Sequence, residues 1–158
     1  MITVRDMATN DEIWTPLEAV WPLLPHLPKE AIIWEMCPGA GKLVKYLRHE
    51  GWIVINKKID SLVQLPYQPF NIIVTNPPWS KKHLFIQRCV ELQKPFGLLL
   101  PVRTLGVARC QNWLTTCDFL FLRKRVDFTG GGAPYEACIW VTKGLLNGRV
   151  VFEKEIGT

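Results

Sequence analysis

The sequence predicts an α/β protein whose sheet is mainly parallel. Short apolar runs typical of buried strands alternate with segments of helical spacing, in the order strand, helix, strand, strand, helix, strand. Prolines, glycines or an Asn-Pro pair end several of these segments abruptly. The length of 158 residues matches one domain, so we expect residues 1–158 to form a single unit.

The first half of the chain supplies two helices and two strands. Pro16 is suited to the first turn of a helix, and Gly51 is suited to the position just after a helix. Apolar residues recur at helical spacing in some segments and follow one another directly in others, which distinguishes helices from buried strands. The predicted elements are a helix at 16–24, a strand at 31–36, a helix from 42 to Gly51 and a strand at 52–55.

The second half begins with the most β-prone run of the chain, 70–75, which Asn76 and two prolines cut off. A continuous apolar run at 95–100 predicts another buried strand. The remaining predicted elements are helices at 84–92 and 105–114 and strands near 119–122, 137–141 and 149–152.

Composition and charge exclude several functional classes. No apolar stretch approaches the roughly 18 residues that cross a bilayer, and residues 1–10 lack the apolar core of a secretory signal. The five cysteines form no C-x-x-C pair, which favours reduced thiols in the cytoplasm and argues against a disulfide framework or a metal site. The net charge of +5 permits a polyanionic partner such as nucleic acid.

The first candidate site is the segment 35–41, Glu-Met-Cys-Pro-Gly-Ala-Gly, between the first strand and a helix. Ligands of doubly wound sheets bind at this edge, where glycines allow close approach of the backbone. Val44 occupies the third glycine position of the dinucleotide fingerprint, and Leu43 follows Lys42 where a P-loop requires Ser or Thr. A glycine turn that only connects the two elements is the structural alternative.

The second candidate site is Asn76-Pro77-Pro78-Trp79, directly after a predicted strand. The exocyclic amine of adenine is a poor nucleophile because its lone pair is delocalised into the ring. An Asn side-chain oxygen and the Pro77 carbonyl, held rigidly by two prolines, could accept from the amine hydrogens and return the lone pair to nitrogen. Trp79 offers a flat face for an extruded base. An ordinary Pro-Pro turn capped by a core Trp is the alternative.

These two segments resemble the cofactor loop and catalytic motif of the S-adenosylmethionine-dependent DNA N6-adenine methyltransferases, particularly small ones encoded by phages. Residues 14–16 are similar to the aromatic-x-Thr-Pro segment that helps hold the cofactor, and residues 94–101, 125–128 and 133–135 resemble later parts of the same domain. The resemblance therefore covers about residues 11–153. It implies a Rossmann-like class I methyltransferase fold with S-adenosylmethionine as the cofactor. The catalytic residues that it implies are Asn76, Pro77, Pro78 and Trp79, and the cofactor-binding residues are Trp14, Thr15, Pro16, Glu35, Cys37, Gly39, Gly41 and Asp60.

One position departs from the family pattern. An acidic residue usually ends the second strand and accepts hydrogen bonds from the ribose hydroxyls, but matching the elements places Lys58 there. A lysine cannot accept a hydrogen bond. Asp60 lies two residues on and could substitute if the loop is shortened. Either Asp60 or the backbone suffices, or the chain has lost or altered cofactor binding.

The nucleic-acid interface is predicted from basic residues near the ends of the later elements: Lys81, Lys82, Arg103, Arg123 and Arg125. Such residues hold phosphates without reading sequence. We expect no separate target-recognition domain within these 158 residues, so sequence choice would come from loops or from a second subunit or dimer. The other tryptophans, including Trp21, are expected in the core.

Three functions therefore remain open. Methylation of the N6 amine of adenine in DNA is the first expectation. A methyltransferase-fold protein without catalysis, which binds nucleic acid or a partner subunit, is the second, and it rests on Lys58. Methylation of RNA or of a protein glutamine is the third, because relatives with those substrates share the Asn-Pro-Pro-aromatic motif.

Overall fold

The structure is a computed structural model, and it describes residues 15–129, 131 and 136–154. In this part of the chain, helices and strands alternate as the apolar pattern predicts. The α-helices are α1 (Leu17–Val20), α2 (Lys42–His49), α3 (Lys82–Glu91) and α4 (Ala108–Leu114). The strands are β1 (Ile32–Trp34), β2 (Ile53–Ile55), β3 (Ile72–Thr75), β4 (Phe96–Pro101), β5 (Asp118–Phe121), β6 (Cys138–Lys143) and β7 (Val150–Phe152). Short 3-10 helices span Leu24–His26, Trp79–Lys81 and Val102–Gly106.

The strands form one mixed sheet in the order β2-β1-β3-β4-β6-β5-β7. The pairs β2–β1, β1–β3 and β3–β4 are parallel, and β5 pairs parallel with β7. Only β6 runs against its neighbours, between β4 and β5. The carboxyl ends of β1 to β5 and β7 therefore lie at one edge of the sheet, which is where a doubly wound sheet binds its ligands.

The core fills both faces of the central strands. Every residue of β3 and β4 is buried, because helices cover the sheet on both sides and leave these strands no contact with water. Helix α2 turns Leu43, Val44 and Leu47 toward the core, three positions on one face of the helix. This packing fixes the loops at the carboxyl edge.

The fold class is confirmed, but two predicted helices are shortened or broken. The helix predicted at 16–24 spans only Leu17–Val20, and a separate 3-10 helix follows at Leu24–His26. Helix 105–114 is instead a 3-10 turn through Gly106 followed by α4, since Val107 adopts an extended conformation between them. Trp21 is 51% exposed, so the expectation of a core tryptophan there is wrong; α1 ends one turn after it starts and leaves the ring outside. Among the described residues, no helix is long and apolar enough to cross a membrane.

Candidate active site

A pocket of about 360 Å³ lies at the carboxyl edge of the sheet, within the usual range for small-molecule sites of roughly 300–1,000 Å³. Its walls come from the loops after β1, β2 and β3. The lining residues are Thr15, Met36, Cys37, Pro38, Gly39, Ala40, Lys42, Lys58, Ile59, Asp60, Ser61, Leu62, Asn76, Pro78, Lys81 and Phe85. The glycine segment and the Asn-Pro-Pro turn, 35 residues apart in sequence, therefore face one cavity.

The glycine segment is shaped by two residues with left-handed backbone. Gly39 has φ of +49° and Gly41 has φ of +83°, conformations that favour glycine. Gly39 lines the pocket, and a Cβ there would meet no atom within 4 Å. Gly41 precedes the first turn of α2, and its carbonyl accepts a hydrogen bond from the Lys45 N–H. The loop thus leaves space over exposed backbone where a ligand could approach.

A buried carboxyl group lies beneath this loop. Glu35 is 1% exposed, and its Oε1 accepts a hydrogen bond of 2.9 Å from the Cys37 backbone N–H. Burial raises the pKa of the Glu35 carboxyl from 4.5 to about 7, and the Thr75 hydroxyl and the Cys37 N–H only partly offset it. Burial and the Glu35 charge together raise the pKa of the Cys37 thiol to about 12, so this thiol stays neutral and is a poor nucleophile.

The raised pKa of Glu35 predicts a pH-dependent effect of Glu35→Gln. The unfolded chain ionises this carboxyl above pH 4.5, whereas the folded chain keeps its proton up to about pH 7. Rising pH between these values therefore destabilises the wild type, by up to about 3 kcal/mol above pH 7, and there is no such penalty below pH 4.5. Glutamine carries no charge and can still accept from the Cys37 N–H.

Urea unfolding of both proteins between pH 4.5 and 8.5 measures this difference. We expect Glu35→Gln to gain stability over the wild type as the pH rises to 7 and to hold that gain at higher pH. A stability difference between the two proteins that stays constant across the whole range would contradict the buried, protonated carboxyl.

The wall opposite the glycine segment is held by contacts that the sequence did not reveal. Ser61 Oγ donates a 2.7 Å hydrogen bond to the Met36 carbonyl, which ties the loop after β2 to the loop after β1. Arg88 on α3 donates to the carbonyls of Ser61 and Gln64. No motif signals these two residues, because their roles depend on elements that meet only in the folded chain.

Two residues were considered for the position of the acid that binds the ribose hydroxyls, and both line the pocket. Lys58 and Asp60 are exposed at its rim. One carboxylate oxygen of Asp60 accepts a hydrogen bond of 3.2 Å from the Leu62 N–H, which orients the side chain at the start of a turn. A carboxylate has about four acceptor sites, so Asp60 keeps capacity for a hydroxyl-bearing ligand.

The Asn76 carboxamide is fixed at both ends. Its Nδ2 donates a 3.1 Å hydrogen bond to Thr15 Oγ1, and its Oδ1 accepts a 3.2 Å hydrogen bond from Trp79 Nε1. An indole N–H can only donate, so the atom that faces it must be the amide oxygen. The oxygen has a second lone pair, and Asn76 lines the pocket.

Trp79 is packed into the protein. Its side chain is 7% exposed, and its Nε1 also donates to the Leu99 carbonyl at 3.2 Å. The Phe128 ring meets it edge-on with centroids 5.1 Å apart, and the Arg103 guanidinium lies 5.8 Å from its ring centroid. Neither face of the indole is open to a base in this conformation.

The basic residues predicted to hold nucleic acid differ in their surroundings. Lys81 is exposed at the pocket, whereas Lys82 Nζ donates to the Trp79 carbonyl and secures the turn. Arg103 forms a 2.8 Å ion pair with Glu136. Arg123 and Arg125 are exposed in the segment that follows β5. All five lie after carboxyl ends of strands, on the pocket side of the sheet.

The segment before α1 contributes Thr15, which is buried and lines the pocket. Pro16 caps α1 and is not part of the pocket lining. Pro77 is buried beside the pocket, and Pro78 lines it. Trp14, the remaining residue predicted to bind cofactor, lies outside the described residues.

Together, these residues can hold a nucleoside-sized ligand and present one oriented amide oxygen to a second molecule. The pocket supplies exposed loop backbone at Gly39 and a carboxylate at Asp60. The Asn76 oxygen can accept a hydrogen bond beside it. Within the described residues, no group of three or more His, Cys, Asp or Glu side chains could hold a metal ion.

Comparison with known proteins finds likeness in structure alone. No family model matches the chain, and no curated protein matches it in sequence. A Listeria monocytogenes protein assigned to the class I S-adenosylmethionine-dependent methyltransferases aligns with 96% of this chain and 67% of its own, with a TM-score of 0.59 and 13% identity.

Two further enzymes align as well. A dimethyladenosine transferase from Plasmodium falciparum covers 79% of this chain, with a TM-score of 0.52 and 13% identity, and the chain spans 58% of its length. The 23S rRNA methyltransferase ErmE covers 86% of this chain and 72% of its own, with a TM-score of 0.52 and 17% identity. The chain therefore has the Rossmann-like fold of the class I methyltransferases.

Proposed function

We propose that this protein is an S-adenosylmethionine-dependent methyltransferase that acts on the N6 amine of adenine in DNA. One observation carries the proposal: the cavity under the glycine segment also opens onto the Asn76 amide, whose oxygen is oriented by Trp79 and whose nitrogen is held by Thr15. A methyl donor and an acceptor amine could thus meet at the edge of the sheet where this fold binds ligands.

The residues of the pocket fit the proposed cofactor. The space over Gly39 that a Cβ would fill admits a ligand against the backbone. Asp60 offers acceptor oxygens for ribose hydroxyls, although Lys58 occupies the position of the usual acid. Glu35 does not line the pocket, but it places a buried carboxyl beneath the loop, and a cationic ligand nearby would favour its negative form. The cofactor would supply a methyl group already activated by its positive sulfonium.

The protein then contributes orientation. The Asn76 oxygen and the Pro77 carbonyl would each accept one hydrogen of the adenine amine, which favours the geometry that returns the lone pair to nitrogen. Pro77 and Pro78 fix the backbone of this turn through their restricted φ angles. The amine would approach the cavity already aligned, and such alignment can supply several kcal/mol of a barrier.

The proposed DNA path runs along the carboxyl edge of the sheet. Lys81, Arg123 and Arg125 present exposed positive charges there and could hold phosphates without selecting sequence. Arg103 is paired with Glu136, so a phosphate would share its guanidinium with that carboxylate or displace it.

RNA is the second candidate substrate, because two of the structural neighbours are named for RNA or adenosine methylation, the 23S rRNA methyltransferase and the dimethyladenosine transferase. The same amide oxygen would orient the adenine amine of either polymer. The two candidates differ in the backbone that the basic edge must accommodate.

Parallel transfer assays with methyl-labelled S-adenosylmethionine separate these substrates. Unmodified duplex DNA, single-stranded DNA, RNA and protein extract are each incubated with the purified chain, and the label in each is counted. We expect incorporation into DNA. Label confined to RNA would move the proposal to the second candidate, and label confined to protein would reject both.

A non-catalytic role is the remaining candidate, and Lys58 at the pocket rim is the observation that favours it. In that case the folded chain would not bind S-adenosylmethionine and no substrate would gain label, while nucleic acid would still be retained. Calorimetric titration with the cofactor distinguishes this role from catalysis.

A further inference from the structure

We propose that Trp79 acts as a positioning residue that aligns the Asn76 carboxamide through its indole N–H, and not as a stacking surface for the target base. The inference rests on the proposed function, since it assigns how the amide that would receive the amine is held. The ring is packed into the protein, and 7% of Trp79 is exposed.

Stacking requires one open face of the indole, and the surroundings of Trp79 deny it. Arg103 lies over the ring at 5.8 Å from the centroid and is held there by its ion pair with Glu136. Phe128 contacts the ring edge-on at 5.1 Å. A base could reach the indole only by displacing one of these side chains.

The polar atom of the ring points at the candidate catalytic residue. Trp79 Nε1 lies 3.2 Å from Asn76 Oδ1 and 3.2 Å from the Leu99 carbonyl oxygen, so one hydrogen is shared between two acceptors. The Leu99 carbonyl belongs to β4, which is buried along its whole length. The indole therefore links the Asn76 oxygen to the rigid centre of the sheet.

A second bond completes the alignment. Thr15 Oγ1 accepts from Asn76 Nδ2 at 3.1 Å, so the two ends of the amide are held by different parts of the chain. Rotation of the side chain would break both bonds at once. The remaining lone pair of Oδ1 then has a defined direction, which is the condition for aligning an incoming amine.

The chemical consequence is specific to tryptophan. A phenylalanine at position 79 would preserve an aromatic ring and could still stack on a base, but it has no donor for Asn76. The Leu99 carbonyl and the Asn76 oxygen would both lose their partner. The two roles of Trp79 therefore predict opposite outcomes for the same substitution.

Steady-state kinetics of Trp79→Phe and Trp79→Leu test this difference. For a positioning role we expect kcat to fall about 10- to 100-fold in both variants while KM for DNA changes little, because a misaligned group slows the reaction without weakening substrate binding. A stacking role predicts near wild-type kcat for Trp79→Phe and a raised KM for Trp79→Leu, and that pattern would overturn the inference.

Trp52→Phe is the matched control. Trp52 is also buried, and its Nε1 donates a 2.9 Å hydrogen bond to the Pro28 carbonyl, away from the pocket. This variant loses an indole N–H bond without touching Asn76. We expect a lowered melting temperature and an unchanged kcat, which separates the loss of a buried bond from the loss of alignment.

The side-chain amide of Asn76 provides a readout that does not depend on turnover. In 15N-labelled protein, we expect its Nδ2 protons to exchange with water faster in Trp79→Phe than in the wild type. Unchanged exchange would reject the positioning role even if kcat fell. If the wild type proves inactive on every substrate, the proposed function fails, and this exchange measurement alone decides the role of Trp79.

Discussion

Asn76→Ala should reduce methyl transfer by about 1,000-fold or more, because it removes the pocket-lining amide oxygen that the proposed mechanism assigns to the acceptor amine. Without it, the amine would meet the Pro77 carbonyl alone. One acceptor cannot restrain both hydrogens of the amine, so the lone pair would return to the ring.

The fold should survive this substitution. Trp79 Nε1 keeps the Leu99 carbonyl as its acceptor, so no buried donor is left unpaired. Thr15 loses one donor but its hydroxyl can rotate. Asn112→Ala serves as the control, since Asn112 is exposed on α4, on a different element from the pocket.

Transfer to DNA is measured for both variants beside circular dichroism and melting temperature. We expect the Asn112 variant to match the wild type in every measurement and the Asn76 variant to match it in all but transfer. Full activity of a folded Asn76→Ala protein would remove this residue from the mechanism.

Gly39→Leu should raise the dissociation constant for S-adenosylmethionine by about 100-fold or more, which is about 3 kcal/mol of binding free energy. Gly39 lines the pocket, and the space above its Cα holds no atom within 4 Å of a built Cβ. A leucine side chain would occupy room that the ligand needs against the backbone. The backbone at position 39 has φ of +49°, so a leucine there adds a strain of about 1–2 kcal/mol to the folded state.

Gly51→Leu also introduces backbone strain, and Gly51 is not among the residues that line the pocket. Gly51 has φ of +104°, follows α2 at the opposite end from the glycine segment, and also has open space around a built Cβ. Titration calorimetry of both variants separates strain from occupancy. Equal affinities for Gly39→Leu and the wild type would show that the cofactor binds elsewhere.

The apolar pattern was sufficient to predict the order of the elements. The strand within 70–75 is a β-prone run ended by Asn76 and two prolines, and helix α2 has its apolar residues on one face, so local sequence determines both. The antiparallel insertion of β6 between β4 and β5 was not predicted, because strand order depends on long-range pairing and leaves no local signal.

The sequence was sufficient to predict the two motifs of the site but not the side-chain contacts around them. The glycine segment and the Asn-Pro-Pro turn were located from residue type, and both line one cavity. The burial of Trp79 depends on Leu99, Phe128 and Arg103, which are distant in sequence. Arg103 was expected to hold phosphate, yet its pairing with Glu136 could not be foreseen from a run of charges.

Nucleoside mass spectrometry of DNA after incubation with the protein and isotopically methyl-labelled S-adenosylmethionine is the most direct test of the proposed function. We predict labelled N6-methyladenine from the wild type and none from Asn76→Ala. Absence of labelled nucleoside in DNA treated with folded wild-type protein, or label on a base other than adenine, would contradict the proposed function.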